Sequence, residues 1–205
     1  RAEAELLVRA AADLSVEALI LDPGRQLSTE QLARAEQWAA RRAAREPLPY
    51  ILRKWEFYSR TFLVSPAAIV PRPETEVLAE AAIDRIRANG VALAVDVGAG
   101  SGALAVTLAA EAPGLRVVAT DISLHALRLA AGNIDLHHLA DSVWPVCCDL
   151  LSAIGRPVGC VVANLPYIAH DDFAVLEPEV RDCEPRIALD GGLDGEPRRL
   201  RSDAV

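Results

Sequence analysis

The chain of 205 residues lacks an excess of positive charge and lacks long apolar runs. Its formal net charge is −8, which argues against a generic binder of nucleic-acid phosphates, because such a protein needs a basic face. Arg41, Arg42 and Arg45 do cluster, but we interpret them as the solvated face of a helix. No apolar run approaches the roughly 18–20 residues that span a bilayer, and residues 1–5 do not resemble a signal peptide. We therefore expect a cytoplasmic protein that binds neither membranes nor specific nucleic-acid sequences.

Cysteine motifs and histidine clusters are also missing. The four cysteines include no C-x-x-C, and Cys147 and Cys148 are adjacent, which suits neither a metal site nor a disulfide. The four histidines show no metal-ligand spacing with Asp, Glu or Cys. We therefore expect free thiols and no metal ion. Methionine is absent even from position 1, which favours a fragment or a processed chain.

Residues 1–52 predict a small, alanine-rich helical domain. Ser28 opens the pattern of a capping box, and small or apolar residues then recur at helical spacing until Pro47 and Pro49 stop the helix. A shorter helix is predicted over residues 14–21. No catalytic pattern lies in this domain, so docking of a partner and plain packing are both open as its role.

Residues 53–73 predict a β-hairpin and a linker. Aromatic and β-branched side chains crowd residues 55–64, and a turn near residues 59–60 would join two strands. Pro73 suits the first turn of the helix that is predicted over residues 74–88.

Residues 74–205 predict a parallel α/β domain. Strand-like runs alternate with helical stretches, which implies a parallel sheet with helices on its faces. The predicted strands cover residues 92–97, 116–120, 143–147 and 159–163, and the helices between them cover residues 102–111 and 123–132.

A glycine-rich loop after the first of these strands is typical of a cofactor site. Gly98, Gly100 and Gly102 allow a sharp turn and a close approach of a ligand, although the spacing also fits dinucleotide enzymes or a structural turn. Asp121 ends the second strand, 23 residues after Gly98. A carboxylate there can accept both hydroxyl hydrogens of a ribose, or it can cap the next helix. NAD and S-adenosylmethionine both carry a ribose, so Asp121 does not separate them.

The run Asn164-Leu165-Pro166-Tyr167 at the end of the fourth strand does separate them. An amide nitrogen is a poor nucleophile because its lone pair is delocalised, so an enzyme that methylates it must hold it in line with the methyl donor. The Asn164 side-chain oxygen and the Leu165 carbonyl can each accept one N–H. Pro166 can fix the loop, and Tyr167 can stack on the planar group. We predict methyl transfer from S-adenosylmethionine to an amide or amino nitrogen, although such a turn also occurs as plain structure.

Asp149 and Leu150 follow the third strand at the same edge of the sheet, where residues line the ligand crevice. Leu150 can flank an adenine ring, and simple packing is the alternative.

Taken in series, these motifs resemble those of the PrmC/HemK family of release-factor glutamine N5-methyltransferases. The resemblance extends over nearly the whole chain from residue 14. It is carried by residues 47–51, 56–58, 71–76, 95–102, 121, 164–168, 184–185, 188–189 and 191–195.

The resemblance implies a Rossmann-like class I S-adenosylmethionine-dependent methyltransferase domain, preceded by a small helical domain and a β-hairpin. It implies that the substrate is the glutamine of the Gly-Gly-Gln motif in a peptide chain release factor, and that the helical domain engages that factor. The activity would serve translation termination. A relative that methylates a ribosomal protein typically has Pro-Arg-Ser-Pro where this chain has residues 72–75, which favours the release factor as substrate.

We predict three overlapping sets of site residues. The predicted cofactor contacts are Gly98, Ala99, Gly100, Ser101, Gly102, Asp121, Leu150 and Asn164. The predicted substrate contacts are Asn164, Leu165, Pro166 and Tyr167, and the predicted catalytic residues are Asn164, Pro166 and Tyr167.

Two features depart from the family pattern. Leu165 stands where the family has a proline, and we expect the change to be tolerated because the substrate contact there is a backbone carbonyl. The family's sheet has seven strands, whereas only four or five are visible in this sequence. We therefore expect the last strands to lie beyond residue 205.

Three alternatives stay open. A methyltransferase could act on an exocyclic amino group of adenine or guanine in DNA or RNA, since those nitrogens are also planar; the negative charge weighs against it. A dinucleotide oxidoreductase would leave residues 164–167 without a role. A catalytically silent binding module would not need Gly98, Gly100, Asp121 and Asn164 together.

Overall fold

The computed structural model of the chain describes residues 2–195. Its N-terminal part contains four helices: α1 (Ala2–Ala12), α2 (Val16–Leu21), α3 (Thr29–Ala43) and α4 (Leu48–Leu52). The hydroxyls of Ser15 and Ser28 cap α2 and α3, and the predicted capping box forms at Ser28. Leu7, Leu48 and Ile51 form a small core between α1 and α4. The predicted helical region is confirmed.

Pro47 and Pro49 begin a further helix, which the sequence analysis missed. Helix α3 ends at Ala43, Pro47 occupies the N-cap position of α4, and Pro49 lies in the first turn of α4. Proline is tolerated there because the first N–H groups of a helix have no partner within the helix.

Strands β1 (Lys54–Phe57) and β2 (Arg60–Leu63) form the predicted antiparallel hairpin. The turn residues are Tyr58 and Ser59, one position earlier than predicted, with φ angles of 50° and 57°. Two positive φ angles match the right-handed twist of a two-residue hairpin. The rings of Phe57 and Phe62 meet edge to face in the main core, with centroids 6.1 Å apart.

A parallel four-stranded sheet with flanking helices follows, which confirms the predicted α/β fold. The strands are β3 (Leu93–Val97), β4 (Arg116–Asp121), β5 (Val143–Cys147) and β6 (Cys160–Ala163). The helices before and between them are α5 (Pro73–Asn89), α6 (Ala103–Glu111) and α7 (Leu124–Leu136). Each predicted strand agrees with the structure to within one residue at either end.

The order of strands in this sheet, β5-β4-β3-β6, determines where a ligand can bind. Strand β4 pairs with one edge of β3, and β6 pairs with the other. The chain therefore reverses its direction of progress across the sheet beside β3. In open parallel sheets, the crevice at the carboxyl ends of the strands forms at such a switch point.

Helix α8 (Pro178–Arg181) lies against α3 and corrects one interpretation of the sequence. Arg42 Nη1 lies 2.9 Å from Glu179 Oε1, and Arg45 Nη2 lies 2.7 Å from Glu179 Oε2. The interpretation of this arginine cluster as a solvated face is corrected for Arg42, whose side chain is covered by the acidic side chain of α8, whereas Arg45 stays exposed.

Within residues 2–195, no helix is long and apolar enough to cross a membrane. The strands that are expected after residue 205 lie outside the described residues.

Candidate active site

A cavity of about 520 Å³ opens at the carboxyl ends of β3, β4 and β6. The predicted site residues that line it are Gly98, Gly100, Asp121, Leu150, Asn164, Leu165 and Pro166. The predicted site residues that do not line it are Ala99, Ser101, Gly102 and Tyr167. The structure thus brings together residues that are up to 68 positions apart in the sequence, from Gly98 to Pro166.

The glycine loop is fastened to the end of β4. The N–H groups of Gly98 and Ala99 both donate to the carbonyl of Thr120, over 2.8 and 2.9 Å. Gly98 and Gly100 have φ angles of +71° and +55°, which glycine adopts without steric cost. The absence of side chains at these two positions leaves the backbone accessible from the cavity.

Ala99, Ser101 and Gly102 support this loop from behind. Ala99 and Ser101 are buried, and the Ser101 carbonyl accepts a hydrogen bond from Asn133 Nδ2 at 2.8 Å. A Cβ atom added at Gly102 would lie 3.0 Å from the Cβ of Ala130, so glycine allows α6 and α7 to approach closely there. Contact of these three residues with a cofactor stays a prediction.

The carboxylate of Asp121 lines the cavity and also organises the loop. Oδ2 accepts the N–H of Gly100 at 2.9 Å, and Oδ1 accepts the N–H of Ser123 at 2.8 Å. The Ser123 hydroxyl caps α7 by accepting the N–H of Ala126, so the cap does not require Asp121. Each carboxylate oxygen keeps a further lone pair for a ligand hydroxyl.

Asp96 is a buried carboxyl behind the glycine loop that the sequence analysis did not single out. It is 2 % exposed, and its Oδ2 accepts the N–H of Ala105 in the first turn of α6 at 3.0 Å. Burial raises the pKa of Asp96 to about 7; the Ala105 N–H opposes this shift and the charge of Asp121 adds to it. The signal in the sequence was a lone charged residue within the apolar strand before the loop.

Asn164, Leu165 and Pro166 form the β6 side of the cavity. The Asn164 amide Nδ2 donates to Thr75 Oγ1 in the first turn of α5, over 3.1 Å. A Cβ atom added at Gly98 would lie 3.0 Å from Leu165 Cδ2, so the two loops are in contact.

Tyr167 follows these three residues in the sequence but lies outside the cavity. Its exposed fraction is 67 %, and it does not line the cavity. Stacking of Tyr167 on a bound planar group stays a prediction.

The linker after the hairpin contributes a wall that the sequence analysis did not assign. Residues 67–69 line the cavity, and Tyr50 Oη donates to the carbonyl of Ala68 at 2.7 Å. Tyr50 lies in α4, so the helical part of the chain fixes this wall through a contact that no local pattern predicts.

A second unassigned wall comes from residues 187, 188 and 190–192. The Gly191 N–H donates to the Ile168 carbonyl at 2.9 Å, which folds this segment back along the chain that follows β6. A Cβ atom at Gly191 would lie 2.8 Å from the backbone of Tyr167. The adjacent Gly192 has a φ angle of +91°, so this glycine pair was the one local signal for the close approach.

The wall of the cavity is acidic. Asp121, Asp149 and Asp190 contribute carboxyl groups, of which that of Asp190 pairs with Arg186 over 3.3 Å. No Lys, Arg or His is among the lining residues within the described part of the chain. The Gly192 N–H donates to Asp190 Oδ1 at 2.9 Å and holds the pKa of that carboxyl below its usual range. Such a wall suits a ligand with hydroxyl groups and a positive centre better than one with phosphates.

Comparison with protein families identifies the class of protein to which this fold belongs. Residues 74–193 match the family described as methyltransferase small domain, and residues 1–52 match the family described as PrmC N-terminal domain. The parallel sheet, the glycine loop and the crevice beside β3 therefore belong to a methyltransferase domain.

Sequence identity to individual relatives identifies the family within this class. The chain is 40 % identical over 196 residues to the release factor glutamine methyltransferase of Bradyrhizobium diazoefficiens. This alignment covers 94 % of the chain and 66 % of the relative. It is also 40 % identical to the enzyme of the same name from Geobacter sulfurreducens, over 95 % of the chain and 68 % of the relative. The chain belongs to the release factor glutamine methyltransferase family, and it spans about two thirds of the length of these relatives.

Solved structures show a more distant likeness. The S-adenosylmethionine-dependent methyltransferase from Agrobacterium tumefaciens aligns with 56 % of the chain and 40 % of its own, with a TM-score of 0.47 and 18 % identity. A likeness at this level has no bearing on the substrate.

Proposed function

We propose that this protein transfers a methyl group from S-adenosylmethionine to the side-chain amide nitrogen of the glutamine in the Gly-Gly-Gln motif of a peptide chain release factor. The observation that supports this most directly is one cavity lined both by the glycine loop with Asp121 and by Asn164 to Pro166. A donor and an acceptor can therefore meet within a single cavity. The names of the relatives support the release factor as the substrate.

The residues on the donor side fit S-adenosylmethionine, which supplies an activated methyl group on a positively charged sulfur. Asp121 can accept the ribose hydroxyls, and Leu150 offers an apolar surface for the adenine. The acidic wall favours the positive sulfonium and amino groups over the pyrophosphate of a dinucleotide. This charge supports S-adenosylmethionine over NAD.

The residues on the acceptor side fit a planar nitrogen. Asn164 Oδ1 can accept one N–H of the glutamine amide, and the Leu165 carbonyl can accept the other. Held in this way, the nitrogen would be oriented to receive the methyl group that bound S-adenosylmethionine would supply. The new N–C bond would replace the C–S bond, S-adenosylhomocysteine would leave, and the proton of the nitrogen would pass to water. No strong base is required, because the proton becomes acidic as the new bond forms.

The rival acceptor is an exocyclic amino group of a nucleic-acid base. The net charge of −8 and the acidic wall oppose a phosphate backbone near the cavity. These charges favour a protein substrate.

The test supplies the purified protein with radiolabelled S-adenosylmethionine and two acceptors, release factor and total nucleic acid. Mass spectrometry then maps the methylated product. We expect label on the glutamine of the Gly-Gly-Gln motif. Label on nucleic acid alone would support S-adenosylmethionine as the methyl donor but contradict the release factor as the acceptor.

A further inference from the structure

Residues 71–76 comprise the two residues before α5 and its first turn, and two contacts hold this segment in place. Arg72 Nη2 lies 2.7 Å from both carboxylate oxygens of Glu184. Glu76 Oε1 accepts the N–H of Tyr58, in the hairpin turn, at 2.8 Å. The segment is therefore held between the hairpin and the chain that follows α8.

Thr75 lies between these two anchors, in the first turn of α5. Its Oγ1 accepts a hydrogen bond from Asn164 Nδ2 at 3.1 Å, across 89 positions of the sequence. A primary amide carries N–H donors at one end and an acceptor oxygen at the other. With the nitrogen end bound to Thr75, Oδ1 is the end of Asn164 that can serve the cavity.

We propose that Thr75 is a positioning residue that keeps Asn164 Oδ1 directed at the acceptor nitrogen. This inference rests on the proposed function and deepens it. An acceptor that offers N–H groups is bound by Oδ1, whereas a flipped Asn164 presents its own N–H groups and repels such an acceptor. Thr75 thus holds the Asn164 side chain in place at the acceptor site, with Oδ1 left for the acceptor, and does so without contacting the substrate.

The kinetic test uses Thr75→Val, which keeps the shape of the side chain and removes the hydroxyl. With release factor as acceptor, kcat should fall about three- to tenfold, which is the effect of one neutral hydrogen bond. The Kd for S-adenosylmethionine should change by less than about twofold, because Thr75 does not line the cavity. Thr75→Ser keeps the hydroxyl and should restore kcat.

The matched control is Thr107→Val. Thr107 is buried in α6, and its hydroxyl makes no hydrogen bond among the described residues. The kcat of Thr107→Val should equal that of the wild-type protein. The positioning role is overturned if Thr75→Val retains full kcat, or if Thr75→Ser loses as much activity as Thr75→Val.

A second measurement does not depend on the acceptor. Heteronuclear NMR follows the side-chain amide protons of Asn164, which should shift and exchange faster in Thr75→Val and stay in place in Thr75→Ser. Unchanged resonances in Thr75→Val overturn the inference. If the unchanged protein methylates no release factor while these resonances respond, the proposed function fails and the positioning of Asn164 stands.

Discussion

At the scale of single residues, Asn164 tests the acceptor side of the cavity. Asn164→Ala removes the oxygen that would hold the acceptor amide, so methyl transfer should fall by at least about a hundredfold, as for other groups that act in the transition state. The Kd for S-adenosylmethionine, measured by calorimetry, should stay within about threefold. Asn89→Ala, at the far end of α5, is the control and should retain activity. Survival of activity in Asn164→Ala contradicts the assigned role.

Asp121 tests the donor side. Asp121→Ala removes the proposed ribose contact and the tether to the Gly100 N–H, so S-adenosylmethionine should bind roughly ten- to a hundredfold more weakly, as expected for a lost hydrogen bond to a charged group. Calorimetric titration measures the change. Asp141→Ala, an exposed carboxylate after α7, should bind normally. An unchanged dissociation constant for Asp121→Ala means that this carboxylate does not hold the ribose.

Asp96 predicts a pH dependence of stability. Its pKa is raised from 3.8 to about 7 by burial, so between these values the folded protein holds a proton that the unfolded chain has released. The free energy of unfolding should therefore fall as the pH rises through this range and level off above it. Urea unfolding of the wild-type protein should show a loss of stability on the order of 4 kcal/mol across this pH range that Asp96→Asn lacks. Equal pH profiles for the two proteins argue against a buried protonated carboxyl.

At the scale of elements, the ion pair of Arg72 with Glu184 holds the start of α5. The Glu184 side chain is 2 % exposed and that of Arg72 is 37 % exposed, so Arg72→Ala leaves a buried carboxylate without its partner. We expect a loss of about 2 kcal/mol in the free energy of unfolding near pH 7, at the lower end for a buried pair because Arg72 is partly solvated.

The loss of stability in Arg72→Ala should also depend on pH. Burial raises the pKa of Glu184, and Arg72 opposes that shift. Without Arg72, the carboxyl is protonated more readily, so the stability deficit should shrink as the pH falls. Arg72→Ala with Glu184→Gln should recover part of the loss at neutral pH. Chemical unfolding at two pH values decides this, and a deficit that does not vary with pH speaks against an unpaired buried charge.

At the scale of the whole molecule, ion pairs join the helical part of the chain to the segment after β6. Arg42 contacts Glu3 of α1 as well as Glu179 of α8. Arg42→Ala should therefore speed hydrogen exchange in α8 while β3 and β4 stay protected, because the contact is local. The difference should diminish at high salt, which screens partly exposed charges. Arg25→Ala, an exposed arginine before α3, is the control; equal exchange in the two variants would show that Arg42 does not hold α8.

The sequence by itself determined the strands of the sheet, the helices between them and a set of candidate site residues. Alternating apolar runs and helical spacing predicted the strands and their connecting helices, because burial of one face imposes a period on the residues that form it. Gly98, Gly100, Asp121 and Asn164 could be singled out because each follows a strand, and the carboxyl ends of parallel strands share one edge of a sheet. These patterns involve residues that are close in the sequence, so they can be recognised without the tertiary structure.

Only the tertiary structure decided which of these residues meet and what holds them. The order β5-β4-β3-β6 places the crevice beside β3, and the bond from Asn164 to Thr75 joins residues 89 positions apart. The contact of Tyr50 with Ala68 and the pairing of Arg42 in α3 with Glu179 in α8 also depend on distant packing. Local propensity does not encode such contacts, because the free energy of each depends on a partner that is brought near only when the whole sheet and its helices have assembled.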